Sequence, residues 1–384
     1  MIIPIMLALA LISPLITGLL YIKLGVLFNV SWLAISSLLL LLVFSRKAIA
    51  EKSTLILIGL MSFFIMWIIF TTFYTESTDY VYIKLIKTVN ILIPFILIFY
   101  LDKYDVRKTI DICIVFNVII GILYISSYSS FLSGNLDVKN SESFNTIYLN
   151  FGLLTGFISV ASFVSYFNRG SLLYLIGFIV LTSCLFFSGA RGPLIISLSL
   201  SGLYLIFGFY KVFSFRNLLY IGAFSILAFY LLISFSEFDV LIERTMYRLS
   251  FLFSDDKGAS INTRIIYIEE AVKYINENIF FGYGYGSYGA VVFSDDSRIY
   301  PHNIFFEVFF ELGLIGVVIL LLILLYVFFY ILKNYAHNNN ELLISFLGLI
   351  YFLINALKSN ALIDHRLLFF FIILPFVFCR NRKS

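Results

Sequence analysis

The chain has 384 residues, 61% of them hydrophobic and only 12% charged, with a mean hydropathy of +1.01. A soluble domain of that composition would leave large apolar patches in water, so the composition excludes one and predicts an all-α integral membrane protein. The formal net charge of +4 sits mostly on Lys and Arg flanking apolar runs, a positive-inside pattern that argues against nucleic acid as a partner.

In chain order, apolar runs near the ~20 residues that cross a bilayer predict spans at roughly 2–22, 24–44, 54–74, 82–100, 109–132, 147–167, 171–187, 192–210, 217–235, 303–332, 341–357 and 364–379, about twelve in all. The first run has no basic start and another follows at once, so it reads as a retained span and not a cleaved signal. Alternate loops carry Arg46, Lys47 and Lys52; Lys103, Arg107 and Lys108; Arg169; Lys211 and Arg216; Lys333; and the tail Arg380, Arg382 and Lys383. That alternation predicts one polytopic domain, 1–384, with both termini in the cytoplasm. Residues 133–146 are polar and read as a connector or cover, and about 236–301 form one large external loop. Cys113, Cys184 and Cys379 lie in or beside apolar runs without metal-ligand spacing, which predicts small buried hydrophobes.

Within the large loop, Ile261, Ile265, Ile268, Val272 and Ile275 recur at helical spacing, with Glu269, Glu270 and Lys273 on other faces. An amphipathic helix in the membrane interface is expected, with Asn262 as its N-cap and Arg264 in its first turn. A cation there opposes the helix dipole, and a nearby anion would offset the cost. Phe281 to Gly289 alternates glycine with tyrosine and lacks the Lys-Ser/Thr ending of a phosphate loop. Tyr283 and Tyr285 could stack on sugars or settle at the membrane interface.

Arg191 lies in Ser188-Gly189-Ala190-Arg191-Gly192-Pro193, a break between two apolar runs. A guanidinium beside glycine-freed N–H groups suits a phosphate, and would equally reach the phosphates of interfacial lipid. His302 follows Pro301 at the entrance to a long apolar run, where an imidazole can face water and accept a hydroxyl proton. Glu307 and Glu311, one helical turn apart just beyond it, stand among very few acidic residues inside spans, and Glu307 could orient His302 or pair with an arginine. His337 and His365 read as loop residues, and three separated histidines predict no metal site.

Taken in order, Ser188-Gly189-Ala190-Arg191-Gly192, Asn262-Thr263-Arg264, Phe281-Gly282-Tyr283-Gly284, Pro301-His302-Asn303, Glu307 and Glu311-Leu312-Gly313-Leu314-Ile315-Gly316 resemble the O-antigen ligase and O-antigen polymerase superfamily over about residues 180–320. Ala190 stands where many members have serine. The resemblance implies a GT-C-like membrane fold, a bacterial inner-membrane location with an external active site, and metal-independent, cofactor-free inverting glycosyl transfer from an undecaprenyl-pyrophosphate-linked oligosaccharide. It implies that Arg191 and Arg264 bind the pyrophosphate and that His302 activates the acceptor hydroxyl, with a chain-length regulator and a flippase as partners. A polymerase would extend the lipid-linked glycan and a ligase would move it to lipid A–core; the chain's size and its Ile/Phe/Tyr/Asn-rich character favour the polymerase. A lipid-linked oligosaccharide flippase is the rival of another class, and it predicts symmetry between halves that this chain lacks.

Overall fold

A computed structural model describes residues 2–24, 30–132, 141–207, 242–243, 246–247, 250, 259–334 and 340–380. Every regular element among them is helical. They are α1 (Ile2–Leu24), α2 (Val30–Ser45), α3 (Lys52–Thr71), α4 (Tyr80–Leu97), α5 (Lys103–Leu132), α6 (Ser141–Arg169), α7 (Leu172–Ser188), α8 (Arg191–Phe207), α9 (Ala259–Ile275), α10 (Tyr288–Phe293), α11 (Ile304–Asn334), α12 (Asn340–Ala356) and α13 (Arg366–Cys379), with a 3₁₀ turn at Leu362–Asp364.

Six of these are long and apolar enough to cross a membrane, at Ile2–Leu20, Lys52–Thr71, Tyr80–Leu97, Lys103–Ser127, Leu149–Arg169 and Ile304–Asn334. Five further predicted spans coincide with apolar helices of 10–17 residues, shorter than a full crossing by that measure. The span predicted at 217–235 lies outside the described residues. Large apolar side chains such as Met66 (67% exposed) and Phe329 (62%) cover the outer faces of crossing helices. In water such surface would aggregate, and in lipid it is solvated, so the chain is a multi-pass membrane protein.

The chain divides into two compact units, Met1–Ser45 with Lys103–Asp256 and Arg46–Asp102 with Lys257–Ser384. In the first, α6 is central and mostly buried, and small residues let its neighbours approach. A Cβ on Gly152 would meet Ala190 Cβ at 2.6 Å, and one on Gly177 would meet Ser162 Oγ at 2.8 Å. Phe163, Tyr166, Leu175, Phe178 and Ile179 form the packed aromatic centre between α6 and α7. Cys113 and Cys184 are buried as expected, whereas Cys379 is only partly buried. Helix α6 begins at Ser141, so part of the predicted polar connector 133–146 is helical, while 133–140 lies outside the described residues.

In the second unit α13 is central, buried from Leu368 to Phe378, with α4, α11 and α12 around it. At one end Arg380 donates to the carbonyls of Ile98, Phe99 and Leu101 just past α4, where the helix dipole favours a cation. At the other end the Asp296 carboxylate accepts Ser77 Oγ (2.6 Å), Thr78 N (2.8 Å) and Asp79 N (2.6 Å), satisfying donors at the start of α4. Burial pushes this carboxyl up, but those hydrogen bonds prevail and bring it down to about 2.

Helix α11 is not the uninterrupted span that its sequence predicts. Gly313 adopts φ 67° and ψ −170°, and the helix breaks there. Phe310 O and Glu311 O, released from the helix, accept from Tyr283 N (2.9 Å) and Gly284 N (3.0 Å). Leu314 N donates to Ile279 O at 2.8 Å, and Trp67 Nε1 to Leu312 O at 2.9 Å. The loop 279–284 is thus inserted into the break and satisfies backbone groups that lipid could not.

Candidate functional site

The residues singled out by sequence fall in both units, and each unit positions its own. In the first, α7 ends on Gly189, whose φ of 70° makes the left-handed cap, and Arg191 opens α8 after buried Ala190. Arg191 therefore stands at the positive end of a helix dipole, the situation the sequence predicts for Arg264. Arg264 is corrected in turn: α9 starts at Ala259, three residues before the expected cap Asn262, which puts Arg264 in the second turn.

The second unit holds Arg264, His302, Glu307, Tyr283 and Tyr285. Asn303 Oδ1 accepts from Phe305 N (2.9 Å) and Phe306 N (3.3 Å), closing the start of α11. The preceding His302 is held between that cap and buried Pro301, with φ 58°. Left-handed backbone costs a β-carbon residue about 1–2 kcal/mol and marks a position over-determined by its surroundings. Among the described residues only Ser294, His302 and Asn360 share it without being glycine.

The imidazole stacks on Tyr267 of α9 at 5.9 Å and 17°, and lies 4.4 Å from the Tyr300 ring. Arg264 is one turn before Tyr267, so the α9 helix carries the cation toward the histidine. Burial, then the charges of Arg264 and Arg298, push His302 down from 6.5 to about 4, and it is neutral at pH 7. Arg298 pairs with Asp364 at 2.5 Å, while Arg264 has no acidic partner among the described residues. Tyr300 is pushed up to about 12 by burial.

Two expectations for this region are corrected. Glu307 orients neither His302 nor an arginine: its Oε1 and Glu311 Oε1 each take the Lys84 ammonium at 2.6 Å, and Glu307 Oε2 accepts Leu362 N at 2.8 Å. Lys84, Glu307 and Glu311 are all buried, and Tyr285 lies over Lys84 at 4.7 Å. A lysine inside α4 demands an acid inside another span, and Glu307 and Glu311 are the acids available there; that signal could have paired them from sequence. The glycine–tyrosine stretch is likewise no flexible outward display. Tyr285 and Tyr288 are fully buried, Tyr285 Oη meets Thr88 Oγ1 at 2.8 Å, and Tyr283 stacks on Phe310 at 5.0 Å. Glycine is needed because the backbone is so close: a Cβ on Gly284 would meet Thr75 Cα at 2.4 Å.

The stripe predicted for α9 is split. Ala271 and Ile275 turn inward with Tyr267 and Tyr274 toward Phe310, while Ile265 and Val272 stay exposed. The tyrosine rings, outside the predicted stripe, offer more area to bury and win the inner face. Among the described residues no three His, Cys, Asp or Glu side chains are grouped so as to hold a metal ion.

The broken helix with its inserted glycine loop, the constrained histidine and Arg264 cover most of the segments that carry the resemblance. Residues 176–321 match the family model described as O-antigen ligase. The resemblance to the O-antigen polymerase and ligase superfamily is thereby shown for that segment, which contains Arg191, Arg264 and His302. No curated protein matches the chain. The segment that matches the family model ends at residue 321, so Asp364, Leu362 and Lys84, which hold its α9–α11 part in place, come from outside it.

Proposed function

We infer that the chain is a membrane-embedded glycosyltransferase that joins undecaprenyl-pyrophosphate-linked repeat units into a surface polysaccharide, with its site at the outer leaflet. The observation that carries this reading is a neutral imidazole held next to a cation that lacks an acidic partner among the described residues, within a segment matching the O-antigen ligase family. Arg264 takes the diphosphate, and the resemblance gives Arg191 the role of a diphosphate ligand as well. As the anomeric C–O bond breaks, its electron pair leaves on a diphosphate oxygen, and the growing charge is stabilised more than the ground state. The acceptor hydroxyl oxygen bonds to the anomeric carbon from the opposite face, inverting it, and its proton passes to His302.

The depressed basicity of His302 fits this order of events. A base is most useful when its pKa lies near the working pH, and in the free protein the surrounding cations hold it well below. A diphosphate seated on Arg264 cancels that field and raises the imidazole toward the useful range, so the base is armed by the substrate that must precede the acceptor.

About twelve crossings, both termini in the cytoplasm and the 236–301 segment outside are parts of the same reading, supported by the alternation of Lys and Arg between loops. The description of the matching family favours a second reading, an O-antigen ligase acting on lipid A–core with the same residues.

Arg191→Ala, Arg264→Ala and His302→Ala should each abolish glycan extension at unchanged protein level, read on a lipopolysaccharide or capsule gel beside an immunoblot. Full-length glycan from all three removes the mechanism. Deletion leaving core with a single repeat supports the polymerase, whereas bare core with accumulated lipid-linked polymer would transfer the assignment to the ligase.

A further inference from the structure

The segment between α12 and α13, residues 357–365, lies beyond the part of the chain that matches the family model. It is nevertheless fastened to the surroundings of His302 at three points. Asn303 Nδ2 donates to Leu357 O at 2.9 Å, Leu362 N to Glu307 Oε2 at 2.8 Å, and Arg298 pairs with Asp364 at 2.5 Å. Asp364 also accepts from Ala361 N at 3.2 Å, closing the segment on itself, and Asn360 takes a left-handed φ of 66° within it. Such a strained, tethered turn holds its side chains in place, and Lys358 directly follows the tethered Leu357.

Lys358 is half-buried and, like Arg264, has no acidic partner among the described residues. Burial and then the charge of Arg264 bring it down to about 8. The same Arg264 charge acts on His302 and Tyr300. Lysines that merely cover apolar surface extend their ammonium into water and keep their ordinary basicity. Two half-buried cations on different elements, neither with an acidic partner among the described residues, have a charge pattern that is completed by an anion.

We propose that Lys358 and Arg264 together form a receptor for a phosphoryl dianion, and that Lys358 is a substrate-binding residue contributed from outside the family-matching segment. Resting on the transferase reading above, the dianion is the diphosphate of the lipid-linked donor, with Lys358 gripping the phosphoryl group as a point charge and Arg264 as a planar fork. The same chemistry could come from a membrane phosphodiester, which carries a single charge.

The test uses the full-length protein in phosphatidylcholine nanodiscs, titrated calorimetrically with inorganic pyrophosphate. Lys358→Gln should weaken binding about tenfold and Lys358→Arg much less, as expected for one charge-assisted contact, with unchanged thermal midpoints showing that both variants fold. Pyrophosphate binding to Lys358→Gln with wild-type affinity overturns the proposal. Soluble glycerophosphoglycerol should not displace pyrophosphate; displacement at equal concentration would assign the cations to lipid headgroups and also overturn it. In cells Lys358→Gln should shorten the glycan. If the transferase reading alone is wrong, the Lys358-dependent pyrophosphate affinity persists while deletion leaves the glycan intact; if this proposal alone is wrong, deletion abolishes the glycan but Lys358→Gln leaves both glycan and affinity unchanged.

Discussion

Two groups of charged residues lie close together in the second unit and differ in one respect. In the interior, one ammonium, Lys84, is enclosed by two carboxylates, Glu307 and Glu311, and the remaining oxygen of Glu307 takes the N–H of Leu362. At the rim, Arg264 and Lys358 have no carboxylate partner among the described residues, and His302 is kept neutral beside Arg264. Buried charges persist only when compensated. The interior set is compensated by the protein and therefore holds α4, α11 and the 357–365 segment together, whereas the rim set is left for something else to compensate.

The sharpest way to break that comparison is to strand a charge. Lys84→Met leaves two carboxylates buried without a cation, and removing one partner of a buried pair costs about 3–5 kcal/mol. The thermal midpoint in detergent should fall steeply, and the triple variant Lys84→Met, Glu307→Gln, Glu311→Gln should recover much of the loss. Arg264→Met at the rim strands nothing and should stay within about 0.5 kcal/mol of wild type. Equal losses at the two places would erase the distinction.

A smaller effect is expected at Gly313, where interior backbone replaces interior charge as the thing satisfied. Its φ of 67° disfavours any side chain, and a Cβ would meet Phe280 O at 2.2 Å. Gly313→Ala should cost about 1–3 kcal/mol and loosen the 279–284 loop, seen as faster amide exchange at Tyr283 and Gly284. Unchanged exchange there would mean that the inserted loop does not depend on the break.

How much of this was legible follows from the reach of each interaction. Helix positions were readable because apolar runs are local: α3, α7 and α12 begin within two residues of the expected spans. Asn303 and His302 were readable as a junction because cap, proline and span are contiguous. The break at Gly313 was hidden, since Ile304–Asn334 is apolar throughout and the backbone that fills the gap comes from residues 279–284. Lys84 was hidden for the same reason, its acids lying 223 and 227 residues away. Arg298 and Lys358 are single cations in polar segments, indistinguishable from solvated ones until the fold brings Arg298 to His302 and ties Leu357, next to Lys358, to Asn303.

The smallest effect sharpens the comparison from the rim side, through pH. His302 and His365 both fall from 6.5 to about 4, both mainly by burial, but Arg264 and Arg298 add to the shift only at His302, while Asp364 opposes it at His365. Between pH 6.5 and 4 the unfolded chain takes up protons that the folded protein refuses, so stability is full above 6.5 and is lost as pH falls toward 4. Each histidine contributes to that slope, and His302→Gln should make it shallower. Pyrophosphate, by cancelling the charge of Arg264 and Lys358, should raise the basicity of His302 and reduce its share of the slope in wild type while leaving the share of His365 alone. Midpoints measured across this range with and without pyrophosphate, in wild type and in His302→Gln, isolate the effect. A pyrophosphate response of the slope that survives His302→Gln would mean that the anion acts elsewhere, and the rim cations would then lose their claim to act on the histidine.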